Sequence, residues 1–355
     1  MSATRNKSES VDFGRPAITV RRPGYSFRFD IRTIVVSTII LLACAVIFVV
    51  ALMVGDFPVS SAEVVQALLG GGDDATRMVV IEWRLPRALL ALLFGAALAL
   101  SGAIFQSLTR NPLGSPDIIG FASGSYTGAL VAMLIVGGGY TTVAVGALAG
   151  GIVTAAAVYL LAYRRGIQGF RLIIVGIGVT AMLSSINTWL ILKADLDDAM
   201  RAAIWGAGSL NGLGFDQLLP VVIACAVMLP LSIAAGPTLR HLELGDDAAA
   251  ALGVPLGRSR LGLILLGVAL TALVTASAGP ISFIALVAPQ IACRLVGSTS
   301  IRLIPSALLG AFLLAAADLA AQRLFAPAQL PVGVMTVCLG GAYFVWLLVR
   351  EAKRN

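Results

Sequence analysis

The sequence predicts an all-α integral membrane protein with about ten transmembrane helices. Hydrophobic residues make up 58% of the 355 residues, charged residues make up only 12%, and the mean hydropathy is +0.95. These values lie far outside the range of ordinary soluble domains. Apolar stretches of about 20 residues, long enough to cross a bilayer as a helix, recur along the chain. Spanning strands would alternate polar and apolar residues, and stretches such as 34–54 do not alternate.

Charges, prolines and glycine clusters divide the chain into ten candidate helices. In chain order, the polar or helix-breaking stretches between them include "WRLPR", "RNPLGSPD", "GGGY", "RRGIQGFR", "GLGFDQ", "GPTLRHLELGDD", "AGP", "CRLVGSTSIR" and "APAQLP". The predicted helices cover 34–54, 87–108, 118–137, 141–162, 171–192, 218–235, 261–278, 281–296, 303–317 and 331–349. The stretch 261–292 is too long for one crossing at about 1.5 Å per residue, so we expect Pro280 to begin the eighth helix.

Ten crossings place both termini on one side of the membrane, and lysine and arginine should be concentrated in the loops of the cytoplasmic side. The two termini and the loops predicted on their side hold 19 of the 25 lysines and arginines. We therefore predict a basic, partly disordered cytoplasmic tail over 1–32 and one multi-pass domain over 33–355, located in the cell membrane.

Two arginines at the outer end of the second helix are not explained by this charge rule. Arg84 and Arg87 are three residues apart at a helix N-terminus, where the helix dipole disfavours cations. We infer that they serve something outside the membrane. The alternative is that they snorkel to lipid headgroups.

The sequence gives little support for enzymatic chemistry. His241 is the only histidine, and none of the three lysines follows a glycine as a phosphate-binding loop requires. We predict a non-catalytic chain without a cofactor of its own, so ATP and magnesium would be bound by a separate ATPase. The predicted helix interiors contain no Asp, Glu, Lys or Arg, which argues against the alternative of a secondary transporter driven by an ion gradient.

The longest internal cytoplasmic loop, 239–260, has the pattern of a short surface helix. Gly245 and Asp246 can open it, alanines extend it, and Gly253 can end it before Pro255. Such a helix is suited to insertion into a cleft of another protein. A plain connecting loop is the alternative.

Four long stretches of the chain resemble the FecCD family, the permease subunits of bacterial ABC importers for iron-siderophores, haem and cobalamin. They are "RLPRALLALLFGAALALSGAIFQSLTRNPLGSPDIIGFASGS", "LELGDDAAAALGV", "AGPISFIALVAPQIACRLVG" and "AADLAAQRLFAPAQLPVGVMTVCLGGAYFVWLL". The resemblance covers about 34–349 in order. It implies the type II ABC importer permease fold.

The resemblance also implies a function and partners. The chain would move a ferric siderophore, an enterobactin-like catecholate or a related iron chelate, into the cytoplasm by alternating access. Haem or cobalamin is the alternative cargo. The implied partners are a second, FepD-like permease in a heterodimer, two copies of an ABC ATPase and an extracytoplasmic siderophore-binding protein, with no nucleic acid.

The family motifs assign roles to individual positions of this chain. Docking of the binding protein falls to Arg84, Arg87 and Arg323, although Gln322 stands at the register where the family often has an arginine. The coupling segment near 243–254, which fits a groove of the ATPase, comprises Glu243, Leu244, Gly245, Asp246, Asp247, Ala250, Leu252 and Gly253. A cytoplasmic turn is formed by Arg110, Asn111 and Pro112. The implied translocation path, on the fifth and tenth helices, includes Thr180, Ser184, Asn187, Val334 and Thr336.

Overall fold

The computed structural model describes residues 17–22, 25–162 and 169–352. Its first element is a β-hairpin, in which β1 (Ala17–Arg22) pairs antiparallel with β2 (Tyr25–Asp30). Alternating β-branched and aromatic residues flank Pro23-Gly24, a typical hairpin pattern. This part of the predicted tail is therefore ordered, and residues 1–16 lie outside the described part of the chain.

Fifteen α-helices follow the hairpin in the described residues. They are α1 Ile31–Met53, α2 Ser61–Leu68, α3 Asp74–Arg77, α4 Leu85–Thr109, α5 Phe121–Val131, α6 Tyr140–Ala162, α7 Gly169–Lys193, α8 Leu196–Gly206, α9 Phe215–Ala234, α10 Gly236–Glu243, α11 Asp246–Ala251, α12 Leu256–Ala278, α13 Ile284–Val296, α14 Leu303–Arg323 and α15 Val332–Ala352. Two π-helical segments, Met78–Arg84 and Ala132–Val136, and a 3₁₀ turn, Pro116–Ile119, join some of them.

The ten predicted apolar segments all correspond to helices. Seven described helices are long and apolar enough to cross a membrane. Three shorter apolar helices, Phe121–Val136, Ile284–Val296 and Val332–Tyr343, account for the third, eighth and tenth predicted segments. The all-α membrane architecture predicted from composition is confirmed. Four helices outside the ten, α2, α3, α8 and α10, were not predicted because they are short and contain charged residues.

Helix α4 forms the centre of the bundle and is buried along most of its length against α9, α12, α13 and α14. Small residues allow this close packing. A Cβ on Gly95 would lie 2.2 Å from the Gly310 carbonyl oxygen, and a Cβ on Gly102 would lie 1.7 Å from that of Ala285. Backbone therefore packs against backbone at both crossings.

Substituting Gly102 with alanine is expected to destabilise the protein by about 1–3 kcal/mol, because the new methyl group overlaps the backbone of α13. The loss would appear as a lower midpoint of thermal unfolding of the purified protein in detergent. Gly262→Ala is the matched control, since a Cβ on Gly262 in α12 meets open space. Equal midpoints for the two variants would contradict the packing argument.

The segment between α12 and α13 departs from the prediction that Pro280 begins the eighth helix. That prediction is wrong: α13 begins at Ile284, and residues 279–283 are not helical. Gly279 has φ 75° and Phe283 has φ 70°, so the backbone turns twice before the helix starts. The end of α12 is instead bonded to a neighbouring turn, where the Ser209 amide donates to the Ala278 carbonyl at 2.7 Å.

Candidate functional site

Arg84 joins the outer end of α1 to the start of α4. Its guanidinium donates to the carbonyl oxygens of Leu52 at 2.8 Å, Met53 at 3.1 Å and Phe57. The first two carbonyls are among those that the last turn of α1 leaves without intrahelical partners. Arg84, which the dipole of its own helix disfavours, therefore caps the neighbouring helix α1.

Arg87 forms a buried ion pair with Asp318 of α14. Its Nε and Nη2 donate to the two carboxylate oxygens at 2.9 and 2.8 Å, and the side chains are only 16% and 6% exposed. Gln322 donates to the same carboxylate at 2.8 Å. The prediction that the ninth helix ends at 317 is wrong, because α14 continues to Arg323 and places Asp318 inside the helix.

Arg323 lies close to Arg84 and pairs with Asp56 at 3.1 Å, in the loop that follows α1. Asp56 is 69% exposed, so this pair is accessible from the outer side. The three arginines assigned to docking thus share one outer corner built from α1, α4 and α14. Each has an intramolecular partner there, and their docking role stays a prediction.

The predicted coupling segment is built from two short helices. Glu243 ends α10, and Leu244 with Gly245, whose φ is 107°, turns the chain into α11, which starts at Asp246. Gly253, with φ 81°, follows the end of α11. The side chains of Leu244 and Leu252 are exposed, as are Asp247 and Ala250. The segment therefore offers an uncovered apolar and acidic surface on the cytoplasmic side.

Asp246 fixes this segment to the membrane domain. Its Oδ1 accepts from Arg260 of α12 at 2.5 Å and from Arg110 at 3.4 Å. Next to it, the Ser107 hydroxyl of α4 donates to the Glu243 carboxylate at 2.8 Å. Asp246 and Glu243 thus point inward, towards α4 and α12.

The cytoplasmic turn ends α4 abruptly. Arg110 adopts the left-handed conformation at φ 50°, and the Asn111 side chain accepts from the Leu113 amide at 2.9 Å. Pro112, which lies between Asn111 and Leu113, is exposed. This turn and the coupling segment border a cavity of about 440 Å³, whose lining includes Gln106, Ser107, Arg110, Asn111, Pro112, Arg240 and Glu243.

The side chains assigned to the translocation path fall into two groups. Asn187 is buried and accepts from Thr127 at 2.7 Å, and buried Thr336 donates to the Gly333 carbonyl at 2.9 Å. Ser184 and Val334 are exposed. The Thr180 hydroxyl has no hydrogen-bond partner among the described residues. The exposed pair therefore fits a path lining better than Asn187 and Thr336 do.

The 3₁₀ turn Pro116–Ile119 leads into Gly120, which lies beside Thr180 of α7 and packs against its hydroxyl. In that turn, burial raises the pKa of the Asp117 carboxyl to about 6.

The sequence predicted the individual residues of the outer and cytoplasmic sites better than it predicted their partners. Local signals identified the coupling segment, the turn and the arginines themselves. The acceptors of the arginines were missed, because Arg87 and Asp318 are 231 residues apart in the chain. Asp318 carried one available signal: it is an acid within an apolar stretch, and such acids usually have a partner.

Residues 41–350 match the FecCD transport family. The chain is 52% identical over 324 residues to the ferric enterobactin transport system permease protein FepG of Escherichia coli K12, covering 91% of this chain and 98% of that protein. It is 34% identical to the iron(3+)-hydroxamate import system permease protein FhuG of Bacillus subtilis, covering 90% and 98%. It is 35% identical to the hemin transport system permease protein HmuU of Yersinia pestis, covering 80% and 86%.

The fold is similar to that of a solved metal-chelate type ABC transporter in an inward-facing conformation. The TM-score is 0.79 with 28% sequence identity, and the match covers 88% of this chain and 98% of the other. PsaBC from Streptococcus pneumoniae, solved with a Fab, gives a TM-score of 0.53 at 15% identity over 81% of this chain and 94% of the other. At that identity it supports the fold alone.

Proposed function

We propose that this chain, which belongs to the FecCD transport family, is the permease subunit of an ATP-driven ferric siderophore importer. It is a multi-pass protein of the cell membrane. The observation that carries the proposal is the coupling segment. It presents exposed Leu244 and Leu252 to the cytoplasm while Asp246 and Glu243 tie it to α4 and α12. A surface helix held in this way can pass a partner's movement to the membrane bundle.

The proposed energy source is ATP hydrolysed on a separate subunit. Two copies of an ABC ATPase would bind magnesium and nucleotide, and their closure would move the coupling segments of two permeases. The chain itself has no lysine that follows a glycine, so it lacks the sequence of a phosphate-binding loop. It would act without a cofactor of its own.

The proposed cargo is a ferric siderophore of the enterobactin-like catecholate class. The relative whose name specifies ferric enterobactin is 52% identical, whereas those whose names specify hydroxamate or hemin are 34% and 35% identical. A second permease, FepD-like and different from this chain, would complete the path. Exposed Ser184 and Val334 would line this chain's half of it.

Reconstitution in proteoliposomes tests this function. Vesicles that contain this chain, a second permease, the ATPase and the binding protein should accumulate radiolabelled ferric enterobactin only when ATP is present. Vesicles with this chain alone and an imposed proton or sodium gradient serve as the control. Accumulation in the control vesicles without ATP would support a secondary transporter and overturn the proposal.

The outer arginine corner is proposed to receive a carboxylate of the binding protein. Arg323 suits this role best, since its partner Asp56 is largely exposed and a second carboxylate can compete for the guanidinium. Arg84 and Arg87 would contribute mainly through the positive potential of the corner, because both are engaged with buried or backbone acceptors.

Reversing the charge of Arg323 is expected to weaken docking. Arg323→Glu should raise the concentration of binding protein that gives half-maximal uptake by roughly two- to fivefold, the range for one exposed ion pair. Arg201→Glu is the matched control. Arg201 is an exposed outer arginine that pairs with Asp198 within α8, a helix that contains none of the three docking arginines. Equal half-maximal concentrations for both variants would remove Arg323 from the docking surface.

A further inference from the structure

A second cytoplasmic cavity, of about 240 Å³, lies beside the coupling segment on the side of α1. Its walls come from the first turn of α1, the end of α9, helix α10 and the start of α14. The lining is mainly apolar and includes Thr33, Ile233, Arg240, Glu243, Arg302 and Ile304. It adjoins the first cavity, with which it shares Ser107, Arg240, Glu243 and Ile301, and its lining is less polar.

Exposed apolar side chains of membrane-spanning helices line part of this cavity. Ile233 and Ile304 are 41% and 51% exposed, and both belong to helices that are apolar and long enough to span the membrane. On the α1 side, Ile34 and Val35, which directly follow Thr33, are also exposed. Exposed apolar side chains in this position suit contact with lipid acyl chains.

The polar end of the cavity is positively charged. Arg240 and Arg302 both line it, and neither forms an ion pair with any residue that the structure describes. Among the described residues, the Arg302 guanidinium makes a hydrogen bond only to the Ser298 hydroxyl, at 3.4 Å. Glu243 is the one acid among the lining residues, and its carboxylate accepts from Ser107. Two guanidiniums against one engaged carboxylate leave a net positive pocket.

We propose that this cavity binds one anionic phospholipid of the cytoplasmic leaflet, with the phosphate between Arg240 and Arg302 and the acyl chains along Ile233 and Ile304. Basic pockets between transmembrane helices on the cytoplasmic side suit anionic headgroups, and guanidiniums bind phosphate by two parallel hydrogen bonds. The bound lipid would connect α10, which leads into the coupling segment, to α1 and α14. The site goes beyond the transport function and does not depend on which chelate is carried.

Native mass spectrometry of the assembled transporter tests the site. Complexes purified from nanodiscs of phosphatidylglycerol and phosphatidylcholine should retain phosphatidylglycerol, and Arg240→Gln with Arg302→Gln should weaken that retention by about 25-fold, since each arginine near the headgroups contributes about fivefold. Arg171→Gln with Arg258→Gln is the matched control, because it removes the same charge from the cytoplasmic side outside the cavity.

A second variant keeps the arginines and fills the space. A Cβ on Gly236 would lie 3.3 Å from Leu303 at the cavity wall, so Gly236→Leu projects a side chain into the cavity without changing charge. It should also lose the retained lipid, and millimolar glycerol phosphate should fail to displace lipid from the unaltered protein. Displacement by glycerol phosphate would mean that the site binds a free phosphate compound.

Two other outcomes would overturn the proposal. The first is equal retention of phosphatidylglycerol by the cavity variants and the matched control. The second is unchanged lipid retention together with weaker association of the ATPase in the Arg240 and Arg302 variant, which would place the cavity in the interface between subunits.

Discussion

Asp318→Ala is expected to destabilise the protein by about 3–5 kcal/mol, the cost typical of removing one partner from a buried ion pair. The substitution leaves the Arg87 guanidinium, which is 16% exposed, without its two charge-assisted hydrogen bonds. Gln322 loses its acceptor as well. The effect should appear as a lower midpoint of thermal unfolding for the purified protein in detergent.

Two further variants separate the ion pair from other causes. Asp56→Ala, which removes the exposed partner of Arg323, should change the unfolding free energy by no more than about 1 kcal/mol. Arg87→Met combined with Asp318→Leu removes both charges, and it should recover most of the lost stability because no buried charge stays unpaired. An Asp318→Ala protein as stable as Asp56→Ala would show that the pair is not structural.

This ion pair also limits how docking at the outer corner can be tested. A charge reversal at Arg87 would place a carboxylate beside Asp318 and lower stability, so a loss of uptake would not identify a docking contact. Arg323 is free of this difficulty, since its partner Asp56 is in an exposed loop. Docking at the corner is therefore best tested through Arg323.

The sequence predicted those features that depend on neighbouring residues. The apolar length of each segment identified the helices, and the order Gly245, Asp246 and Gly253 identified the short coupling helix, because caps and turns are set locally. The positions of the cytoplasmic loops followed from the distribution of lysine and arginine.

Contacts between distant parts of the chain were not predictable in this way. From the sequence alone, Arg84 is in an unfavourable position at the start of a helix. The packing of α1 on α4 places its acceptors beside it, and these are the carbonyls of Leu52 and Met53. The end of α12 is bonded to the distant turn at Ser209, whose amide donates to the Ala278 carbonyl. Similarly, the need for glycine at Gly102 arises only from the crossing of α13.

Loss of the Arg260 side chain is expected to uncouple transport from ATP hydrolysis, on the proposed function. Arg260 is only 12% exposed and donates to Asp246 at 2.5 Å, so it is a largely buried charged link between α12 and the start of α11. Without it, movement of the coupling segment would tilt α11 instead of displacing α12. Arg260→Ala should lower the siderophore taken up per ATP hydrolysed by at least about fivefold, the lower end of ordinary coupling between sites.

Stability and transport should respond differently to this change. Because Asp246 is partly exposed and keeps its contact with Arg110, the unfolding free energy should fall by about 1 kcal/mol or less. Arg260→Lys preserves the charge and should restore part of the coupling, whereas Arg258→Ala, two residues away and exposed, should leave it intact. An Arg260→Ala transporter that moves as much siderophore per ATP as Arg258→Ala would mean that force reaches α12 by another route, such as Glu243 and the end of α4.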